Sequence, residues 1–473
     1  MTRQFKFLVG GEWRSSDEKV YIANPFNGSA VGALSLAQEQ DVDEALRYSV
    51  EAFSVMRTLS GYERSKILSR ISQAIDNRRS EFAELITNES GKPIRFSNAE
   101  VDRAISTFSI ASEESTRING EVIPLDGINT VKNKKGIVTR FPIGPVACIS
   151  PFNFPLNLIA HKIAPAIASG NSFIIKPPPQ APLTSLMLGE CLLESGLPQN
   201  SVSILPTSNT LAELLVTDPR IAMLSFTGSA HVGWTLKEKA GKKKVVLELG
   251  GNAAVIVDKH ADINLAVERC VLGAFAYAGQ VCIKVQRIYV HKNVSKQFEM
   301  KFLEACSEVK VGNPLESDTI VGPMISLAEA ERVEQWVKEA VTEGATIAWG
   351  GKRKGSMFEP TVMDSVTPAM RISSEEIFGP VVTLQSVNTI EDAVEEVNHS
   401  RYGLQAGIFS SDIQSIMYAY KHLNVGGVIA NDYPTFRVDN MPYGGVKDSG
   451  SGREGVRYAI QEMTEPKLLV LEF

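Results

Sequence analysis

Two regions of the chain show runs of apolar residues that alternate with helical patterns. In the first region the helices are predicted to begin at Pro155, Pro182, Thr210 and Ser229, and the apolar runs around them are VACIS, SFIIK, VSIL, IAMLSF and KVVLEL. Continuous apolar strands that alternate with helices are typical of a parallel sheet covered on both faces. Ligands of such sheets bind at the carboxyl ends of the strands. The residues that follow these runs are therefore candidates for a site.

The second region begins near Ala254 and shows the same alternation. Its predicted helices span residues 263–277, 295–309 and 327–343, and its later strands lie near Val381, Ala406 and Gly426. We interpret it as a second α/β domain that begins close to Gly250 and Gly251. Clefts between domains are common ligand sites, so we expect the active site in the cleft between the two regions.

Other patterns flank these two regions. FLVGGEWRSS, with Gly10 and Gly11 at its centre, predicts a hairpin. Apolar residues at spacings of three and four predict one long helix over residues 62–88, and a second helix is predicted over 97–117. Residues 119–141 alternate like strands, and the terminal run KLLVLEF is apolar. Because exposed strand edges are usually paired, we expect this last run to join a sheet of another subunit.

Composition excludes several classes of protein. The 473 residues are 44% hydrophobic and 22% charged, as in ordinary globular proteins, and this length predicts two or three domains. The formal net charge of −6 gives no electrostatic reason to expect nucleic acid or an anionic membrane as a partner. No apolar run is long enough to span a bilayer and no leader pattern is recognisable, so we expect a cytoplasmic protein.

The cysteines and histidines give no sign of a disulfide framework or a metal site. Five cysteines are too few and too scattered for disulfide pairing, which fits a reducing compartment in which one of them can be a reactive thiol. The six histidines show neither HExxH spacing nor a partnering cysteine pair, and we therefore predict no metal.

One carboxylate and one thiol stand where strand or helix gives way to loop. Glu248 ends the strand-like run VVLEL, and Cys282 follows an apolar helix and a short loop. A thiol with a pKa of about 8.5 is only slightly ionised at neutral pH, so a nucleophilic cysteine needs a base or a stabilising group nearby. Residue type alone favours the alternative, in which Cys282 is a small buried apolar residue and Glu248 a solvated or capping group.

The motifs around these residues resemble those of the aldehyde dehydrogenase superfamily. VLELGGNAA and FAYAGQVCIKVQRI are similar to its glutamate and cysteine signatures, and further matches follow the same order along nearly the whole chain: ISPFNFPLN, IIKPPPQAP, SFTGSAHVG, EEIFGP and MPYGGVKDSGSGREG. The resemblance implies that Cys282 is the nucleophile, Glu248 the general base and Asn153 a donor to the oxyanion.

The resemblance also implies a fold. It is α/β, with a Rossmann-type cofactor domain, a second α/β catalytic domain and a β oligomerisation arm. On this chain the cofactor domain is predicted to comprise residues 1–118 and 142–250, the catalytic domain 251–453, and the oligomerisation segments 119–141 and 454–473. We accordingly expect a homodimer or a homotetramer.

NAD or NADP is the expected cofactor. The fingerprint GxGxxG is missing after the first strand, and SFTGSAHVG takes its place as a turn from strand into helix whose first N–H groups would bind a pyrophosphate. The residues predicted to bind the cofactor are Ser150, Pro151, Phe152, Lys176, Pro179, Gly228, Ser229, Val232, Leu249, Glu376 and Phe378.

The segment after Lys176 bears on the choice between NAD and NADP. Family members that prefer NAD often have a glutamate three residues after this lysine, where it accepts hydrogen bonds from the ribose. Here that position is Pro179. A proline neither binds the ribose hydroxyls nor repels a 2′-phosphate, and we predict that NADP is accepted at least as well as in a relative that carries the glutamate.

The substrate is predicted to be a small aldehyde. Val281 and Ile283 make the surroundings of Cys282 apolar, while Arg103, His161 and Arg437 are candidates for holding an anionic or hydroxylated group. The alternative, that these three are structural or surface cations, stays open. Within the family the sequence resembles lactaldehyde, phosphonoacetaldehyde and non-phosphorylating glyceraldehyde-3-phosphate dehydrogenases.

The predicted activity is oxidation of the aldehyde to the carboxylic acid through a cysteine hemithioacetal and a thioester. Two other activities remain open: a CoA-acylating semialdehyde dehydrogenase, and a dehydrogenase of broad specificity for neutral or aromatic aldehydes. A non-catalytic family member would be expected to lose the catalytic residues, and Cys282, Glu248 and Asn153 are all present.

Overall fold

The computed structural model describes residues 3–473, which form 24 strands and 16 helices. The strands are β1 (Gln4–Phe5), β2 (Phe7–Val9), β3 (Glu12–Arg14), β4 (Lys19–Ala23), β5 (Ala30–Ser35), β6 (Glu121–Pro124), β7 (Lys134–Pro142), β8 (Val146–Ile149), β9 (Phe173–Lys176), β10 (Met223–Thr227), β11 (Lys244–Glu248), β12 (Ala254–Val257), β13 (Arg287–His291), β14 (Thr346–Trp349), β15 (Arg353–Lys354), β16 (Met357–Phe358), β17 (Thr361–Asp364), β18 (Val381–Val387), β19 (Tyr402–Gly403), β20 (Gln405–Phe409), β21 (Gly427–Ala430), β22 (Val446–Lys447), β23 (Gly450–Ser451) and β24 (Thr464–Glu472).

The helices are α1 (Glu39–Met56), α2 (Gly61–Asn77), α3 (Arg79–Ser90), α4 (Ile94–Glu114), α5 (Asn157–Ser169), α6 (Leu183–Glu194), α7 (Asn209–Ala212), α8 (Leu214–Thr217), α9 (Ala230–Lys239), α10 (Ile263–Phe275), α11 (Ser295–Ser307), α12 (Leu327–Thr342), α13 (Arg371–Ser374), α14 (Ile390–Asn398), α15 (Ile413–His422) and α16 (Val456–Glu462), with a 3-10 turn at Ala276–Gly279.

The first alternating region forms the expected parallel sheet. Its strands lie in the order β11-β10-β8-β9, and β23 is added antiparallel at the edge of β11. Both faces are covered: Cys148 and Ile175 pack into one core, and their neighbours Ala147 and Ile174 pack into another. Because successive strand residues point to opposite faces, a sheet buried on both sides needs apolar residues throughout.

The run VSIL is not a strand, contrary to the sequence prediction. Its residue Ile204 forms a single bridge to Leu8 of β2 and another to Ile175 of β9. The segment lies between the N-terminal hairpin and the edge of the sheet, and it forms one isolated bridge to each instead of a ladder. The helix predicted from Thr210 is likewise two short helices, α7 and α8.

The second alternating region forms a seven-stranded sheet. Its order is β14-β17-β18-β13-β12-β20-β21, and all neighbours are parallel except β14 and β17. On one face α10, α11 and α12 cover Val255 and Ile288, and on the other α14 and α15 cover Ile256 and Tyr289. The predicted helices and strands of this region are therefore present, within a few residues of the expected ends.

The helix predicted over residues 62–88 is two helices, α2 and α3. They are separated at Arg78, whose φ of −116° and ψ of 21° lie outside the helical region. The Arg78 guanidinium contacts Glu81 of α3 and Glu190 of α6. Both helices place their apolar side chains in the same core. The apolar periodicity therefore continues from α2 into α3, and the sequence pattern gives no sign of the break at Arg78.

The terminal run pairs within its own chain. β24 is antiparallel to β7 over nine residue pairs, from Thr464 opposite Pro142 to Glu472 opposite Lys134, and β6 lies on the far side of β7. One edge of this run is thus paired within its own chain, and the expectation that the run joins a sheet of another subunit stays a prediction for its other edge. Its exposed apolar side chains are Leu468, Leu469, Val470 and Phe473.

Residues 249–253 connect the two sheets. β11 of the first sheet ends at Glu248, and β12 of the second begins at Ala254. β23 returns to the first sheet from a segment predicted to belong to the second domain. The carboxyl end of β11 therefore lies where the chain passes from one sheet to the other. The division of the chain into domains remains a prediction.

Candidate active site

A cavity of about 260 Å³ opens at the carboxyl ends of β8, β10 and β11. It is lined by Pro151, Phe152, Asn153, Leu158, Thr227, Gly228, Ser229, Glu248, Leu249, Gly250, Cys282, Glu329, Glu376 and Phe378. All three predicted catalytic residues line it, together with seven of the predicted cofactor residues. Ser150, Lys176, Pro179 and Val232 lie outside the lining. The carboxyl ends of parallel strands meet at one edge of the sheet, and this geometry gathers residues from distant motifs.

A tight turn presents Cys282 to this cavity. After α10 the chain passes through Tyr277, Ala278 and Gly279, which have φ values of 54°, 52° and 66°. A Cβ at Gly279 would lie 2.3 Å from the carbonyl oxygen of Gly379, so a side chain has no room there. The next residue, Gln280, is anchored because its Oε1 accepts from the Ile325 N–H at 2.8 Å. Cys282 follows this rigid turn and is partly exposed.

The Cys282 thiol has a tyrosine hydroxyl as its neighbour. Its Sγ lies 3.2 Å from the Oη of Tyr443. Burial raises the pKa of the Cys282 thiol to about 11, and Glu376 and Glu248 act in the same direction, while Tyr443 and Arg437 oppose the rise. In this state the thiol is protonated at neutral pH. Sequence reasoning missed Tyr443, although it lies within the quoted motif MPYGGVKDSGSGREG.

Glu248 is buried and has no hydrogen-bond partner. Among the described residues neither of its carboxyl oxygens is bonded, although the side chain is almost fully enclosed. Burial, followed by the nearby Glu454, raises the pKa of Glu248 well above its usual value. The carboxyl therefore holds its proton more tightly than a solvated glutamate does, which is the direction expected of a group that takes a proton near neutral pH.

Asn153 reaches the same cavity from the loop after β8. Its Nδ2 donates to the carbonyl oxygen of Gln280 at 2.9 Å, which places the amide beside the turn that carries Cys282. Its Oδ1 has no partner in the described part of the chain. Pro151 and Pro155 on either side restrict the backbone, so the amide is held close to the nucleophile.

Buried charges form a network behind the cavity. The Nζ of Lys162 donates to Thr227 at 2.7 Å and to Glu454 at 3.1 Å. The other oxygen of Glu454 accepts from Arg437 at 2.9 Å. Burial would raise the pKa of Glu454, but Lys162 and Arg437 outweigh it and the net shift is downward. Sequence reasoning missed Lys162 and Glu454, because a single charged residue in an apolar helix or a glycine-rich loop has no characteristic spacing.

The three predicted substrate residues lie together, and each has a carboxylate partner. Arg103 and His161 both bind Oδ1 of Asp439, at 2.7 and 2.9 Å, and Arg437 binds Glu454. Burial, and then the nearby Arg437, lower the pKa of His161, so this side chain is neutral at neutral pH. Arg437 Nε and His161 Nδ1 are buried without a partner in the described chain.

Part of the cavity wall, formed by Glu376, Phe378 and Phe152, suits a nicotinamide nucleotide. Glu376 lies against Gly250, where a Cβ would come within 2.0 Å of its carboxylate, and it accepts from the Gly251 N–H at 3.1 Å. Burial raises the pKa of Glu376 to about 7. The rings of Phe378 and Phe152 meet edge to face with their centroids 6.0 Å apart. The carboxyl could accept hydrogen bonds from ribose hydroxyls, and the two aromatic rings could pack against the flat nicotinamide ring.

Other groups near the cavity suit the phosphate and adenosine parts of the same nucleotide. Ser229 caps the ten-residue helix α9, accepting from the Val232 N–H, and the first N–H groups of a helix attract phosphate. Lys176 ends β9 and contacts Asn209 at 3.3 Å, and burial lowers its pKa to about 8. Pro179 is exposed on the following turn. These groups fit NAD or NADP.

Neither a metal cluster nor a membrane span is found among residues 3–473. No group of three or more histidine, cysteine or acidic side chains there is arranged to hold a metal ion. No helix of this part of the chain is both long and apolar enough to cross a bilayer.

Comparison with known proteins gives consistent matches. The profile of the Aldehyde dehydrogenase family matches residues 13–469. The 3-sulfolactaldehyde dehydrogenase of Priestia aryabhattai is 43% identical over 470 residues, covering 99% of this chain and 98% of the relative. The structure of aldehyde dehydrogenase 21 from Physcomitrella patens, complexed with the reaction product succinate, is 44% identical, with a TM-score of 0.98 over 100% of this chain and 99% of that one.

A third match holds a cofactor. The structure of glyceraldehyde-3-phosphate dehydrogenase from Methanocaldococcus jannaschii, complexed with NADP, is 37% identical, with a TM-score of 0.93 over 97% of this chain and 100% of that one.

The chain belongs to the aldehyde dehydrogenase family. It is an NAD(P)-dependent oxidoreductase that oxidises small aldehydes. The predictions of family, α/β fold, enzyme class and cofactor class are thereby confirmed. The roles of individual residues stay predictions.

Proposed function

We propose that this enzyme oxidises a small anionic aldehyde to the carboxylic acid with Cys282 as nucleophile and Glu248 as general base. The observation that carries the proposal is that Cys282, Glu248 and Asn153, from three separate segments, line one cavity of about 260 Å³. A covalent mechanism with a separate base needs these three groups within reach of one carbonyl carbon.

The first half-reaction forms a thioester. The Cys282 thiol releases its proton to solvent, and its sulfur bonds to the aldehyde carbon as the carbon–oxygen π bond breaks. The carbonyl oxygen becomes an oxyanion that Asn153 Nδ2 and the backbone N–H of Cys282 stabilise. When bound, the oxidised nicotinamide supplies the hydride acceptor. The carbon loses hydride to it, the carbon–oxygen double bond reforms, and the aldehyde carbon is oxidised to a thioester.

The second half-reaction hydrolyses the thioester. Glu248 removes a proton from a water molecule, whose oxygen bonds to the thioester carbon as the carbon–sulfur bond breaks. The carboxylic acid leaves and Cys282 recovers its thiol. The enclosed position of Glu248 at this cavity favours hydrolysis over transfer to CoA, and comparing the products formed with and without CoA tests the choice.

The substrate is proposed to carry an anionic group a few bonds from the aldehyde carbon. One relative is named for 3-sulfolactaldehyde, which bears a sulfonate, and a solved relative binds succinate. In the described part of this chain Arg437 Nε and His161 Nδ1 are both without a partner, whereas Asp439 holds the Arg103 guanidinium. Because the lowered pKa of His161 leaves Arg437 as the cation of these two, Arg437 is the principal candidate.

For the cofactor we propose that NADP is used at least as well as in a relative with a glutamate at the position of Pro179. Lys176 has Asn209 rather than a carboxylate beside it, and a solved relative holds NADP. A ratio of kcat/KM for NADP to that for NAD far below one would contradict this proposal.

The remaining proposals concern assembly and location. The exposed apolar residues of β24 lie on an edge strand, which is a common site of pairing, and we expect a homodimer or homotetramer of cytoplasmic location. Sedimentation analysis of the wild type and of a Leu469→Lys variant tests the assembly. A monomeric wild type would contradict it.

The substrate is tested with a panel of aldehydes. We expect 3-sulfolactaldehyde, succinic semialdehyde and glyceraldehyde-3-phosphate to give higher kcat/KM than a neutral aromatic aldehyde, with lactaldehyde between them. Reduction of NAD and of NADP is measured separately. Equal efficiency on the neutral aromatic aldehyde would remove the anion-binding role and leave the covalent mechanism in place.

A further inference from the structure

Tyr443 is fixed against the nucleophile by its backbone and by its ring. The backbone exchanges two hydrogen bonds with Glu454, at 3.0 Å from the Tyr443 N–H and at 2.7 Å to its carbonyl oxygen. The side chain is 3% exposed and packs in one apolar cluster with Tyr277, Val281, Ile283 and Leu404. The phenol therefore has little freedom to turn away from the sulfur 3.2 Å from it.

A cation lies against the face of the same ring. The Arg437 guanidinium is 3.6 Å from the centroid of the Tyr443 ring, and Glu454 holds Arg437 in place. A cation at this distance is attracted to the ring and stabilises its position. Burial keeps the pKa of Tyr443 well above its usual value, so the phenol retains its proton at neutral pH and can donate it in a hydrogen bond.

We propose that Tyr443 is a positioning residue for the nucleophile, whose phenol O–H donates to the Cys282 sulfur, directs it into the cavity and stabilises the thiolate relative to the thiol. This inference rests on the proposed role of Cys282. The proposed mechanism uses Cys282, Glu248 and Asn153, and the inference adds Tyr443 to these residues. The Tyr443 phenol would act in the first half-reaction.

The physical reason lies in the two protonation states of sulfur. A thiol can donate or accept in its bond with a hydroxyl, whereas a thiolate can only accept, and hydrogen bonds to a charged acceptor are about twice as strong as neutral ones. The same phenol therefore favours loss of the proton from sulfur. Since burial opposes that loss, the phenol supplies part of the compensation that a buried nucleophile needs.

The test is the pH dependence of alkylation of Cys282 in Tyr443→Phe. This variant keeps the ring and its contact with Arg437 and removes only the hydroxyl. The full-length enzyme is treated with iodoacetamide from neutral to alkaline pH, and modification of the peptide that contains Cys282 is followed by mass spectrometry. We expect the apparent pKa of Cys282 to rise by about one unit, so that alkylation at neutral pH slows roughly tenfold.

Kinetics of aldehyde oxidation provide the second readout. The alkaline shift should appear in the profile of kcat/KM against pH, because only thiolate attacks the aldehyde. Tyr289→Phe is the matched control: Tyr289 is also buried and its hydroxyl accepts from Arg287 at 3.3 Å, but it lies in the core beneath α14 and α15. That variant should keep the wild-type profile.

Each outcome separates the inference from the proposed function. An unchanged alkylation profile in Tyr443→Phe overturns the inference even when Cys282 is the nucleophile. Aldehyde oxidation that survives in Cys282→Ser overturns the proposed function itself. If Tyr443→Phe does not fold, 3-fluorotyrosine at position 443 replaces it. As a stronger donor of similar size it should lower the apparent pKa of Cys282, and no shift would overturn the inference.

Discussion

The cavity and the buried charges behind it differ in how they treat buried acceptor oxygens. The cation cluster consists of Arg103, His161, Lys162 and Arg437 with their carboxylate partners Asp439 and Glu454. In the cavity, both oxygens of Glu248 and the oxygen of Asn153 have no partner in the described chain. In the cluster, Asp439 is shared by Arg103 and His161, and Glu454 by Lys162 and Arg437. Leaving a buried polar group unbonded costs about 1–3 kcal/mol, so the fold tolerates this cost for the oxygens at the cavity, while both carboxylates of the cluster are satisfied. Two nitrogens of the cluster, His161 Nδ1 and Arg437 Nε, are also unbonded in the described chain.

This difference separates groups that act on a ligand from groups that support them. An unbonded carboxyl is available to a water molecule or a substrate, whereas a carboxylate between two cations is already satisfied. Arg437 stands between the two regions, because one of its nitrogens binds Glu454 and another has no partner. The comparison therefore predicts large effects for cavity residues and smaller, more selective effects for the cluster.

The largest effect is expected from Cys282→Ala. Because this change removes the atom that bonds to the aldehyde, oxidation should fall by at least about a thousandfold for every aldehyde and either cofactor. Cys306→Ala is the matched control, since Cys306 is buried in the core of the second sheet. The measurement is the initial rate of nicotinamide reduction. A rate close to that of the wild type would contradict the proposed role of Cys282 and the comparison built on it.

Glu248→Gln should separate the two half-reactions. Thioester formation does not need the base, so a rapid first turnover should remain while steady-state turnover falls by roughly a hundredfold or more. Rapid-mixing kinetics with an excess of aldehyde would show the burst. A parallel loss of the burst and the steady state would mean that Glu248 acts before hydrolysis.

Glu248 should also make stability depend on pH. Its pKa is raised in the folded enzyme, so the folded state binds more protons, and the free energy of unfolding should fall as pH rises above about 4.3, the ordinary value of a glutamate, towards the folded pKa. Glu248→Gln should flatten this part of the curve. Thermal midpoints measured against pH for both proteins test the sign, and a steeper fall in the variant would contradict it.

Arg437→Gln tests the boundary between the two regions. We expect KM to rise about tenfold for 3-sulfolactaldehyde and little for a neutral aldehyde, because an ion pair with the substrate is lost. Arg269→Gln is the matched control, since Arg269 binds Asp432 and stacks on Tyr433 in a similar way, whereas Arg437 stacks on Tyr443, whose hydroxyl contacts Cys282. Equal increases for charged and neutral aldehydes would indicate a structural role only.

Pro179→Glu should give the smallest effect and concerns the cofactor alone. A carboxylate near Lys176 would repel a 2′-phosphate, so kcat/KM for NADP should fall several-fold relative to that for NAD, with no change in the preference among aldehydes. The ratio of the two efficiencies is the measurement. An unchanged ratio would show that the turn after β9 does not approach the adenosine ribose.

The sequence was a good guide where a local pattern has one structural solution. Apolar runs that alternate with helices led to two covered parallel sheets, and the motifs around Cys282, Glu248 and Asn153 led to the family and to the residues that line one cavity. The sequence did not reveal the break at Arg78, because the apolar stripe of a helix continues across a kink. It also did not reveal that the run around Ile204 forms only isolated bridges, because an apolar run need not form a ladder of strand pairs.

By itself, the sequence determined the class of fold and the family and predicted the reactive side chains, since these follow from periodicity and from short motifs. Only the tertiary structure decided the state of those side chains. It placed Tyr443, 161 residues away along the chain, beside the Cys282 sulfur, and it paired Arg103 and His161 with Asp439. A pKa depends on burial and on charges brought close in space, and no spacing along a chain records either.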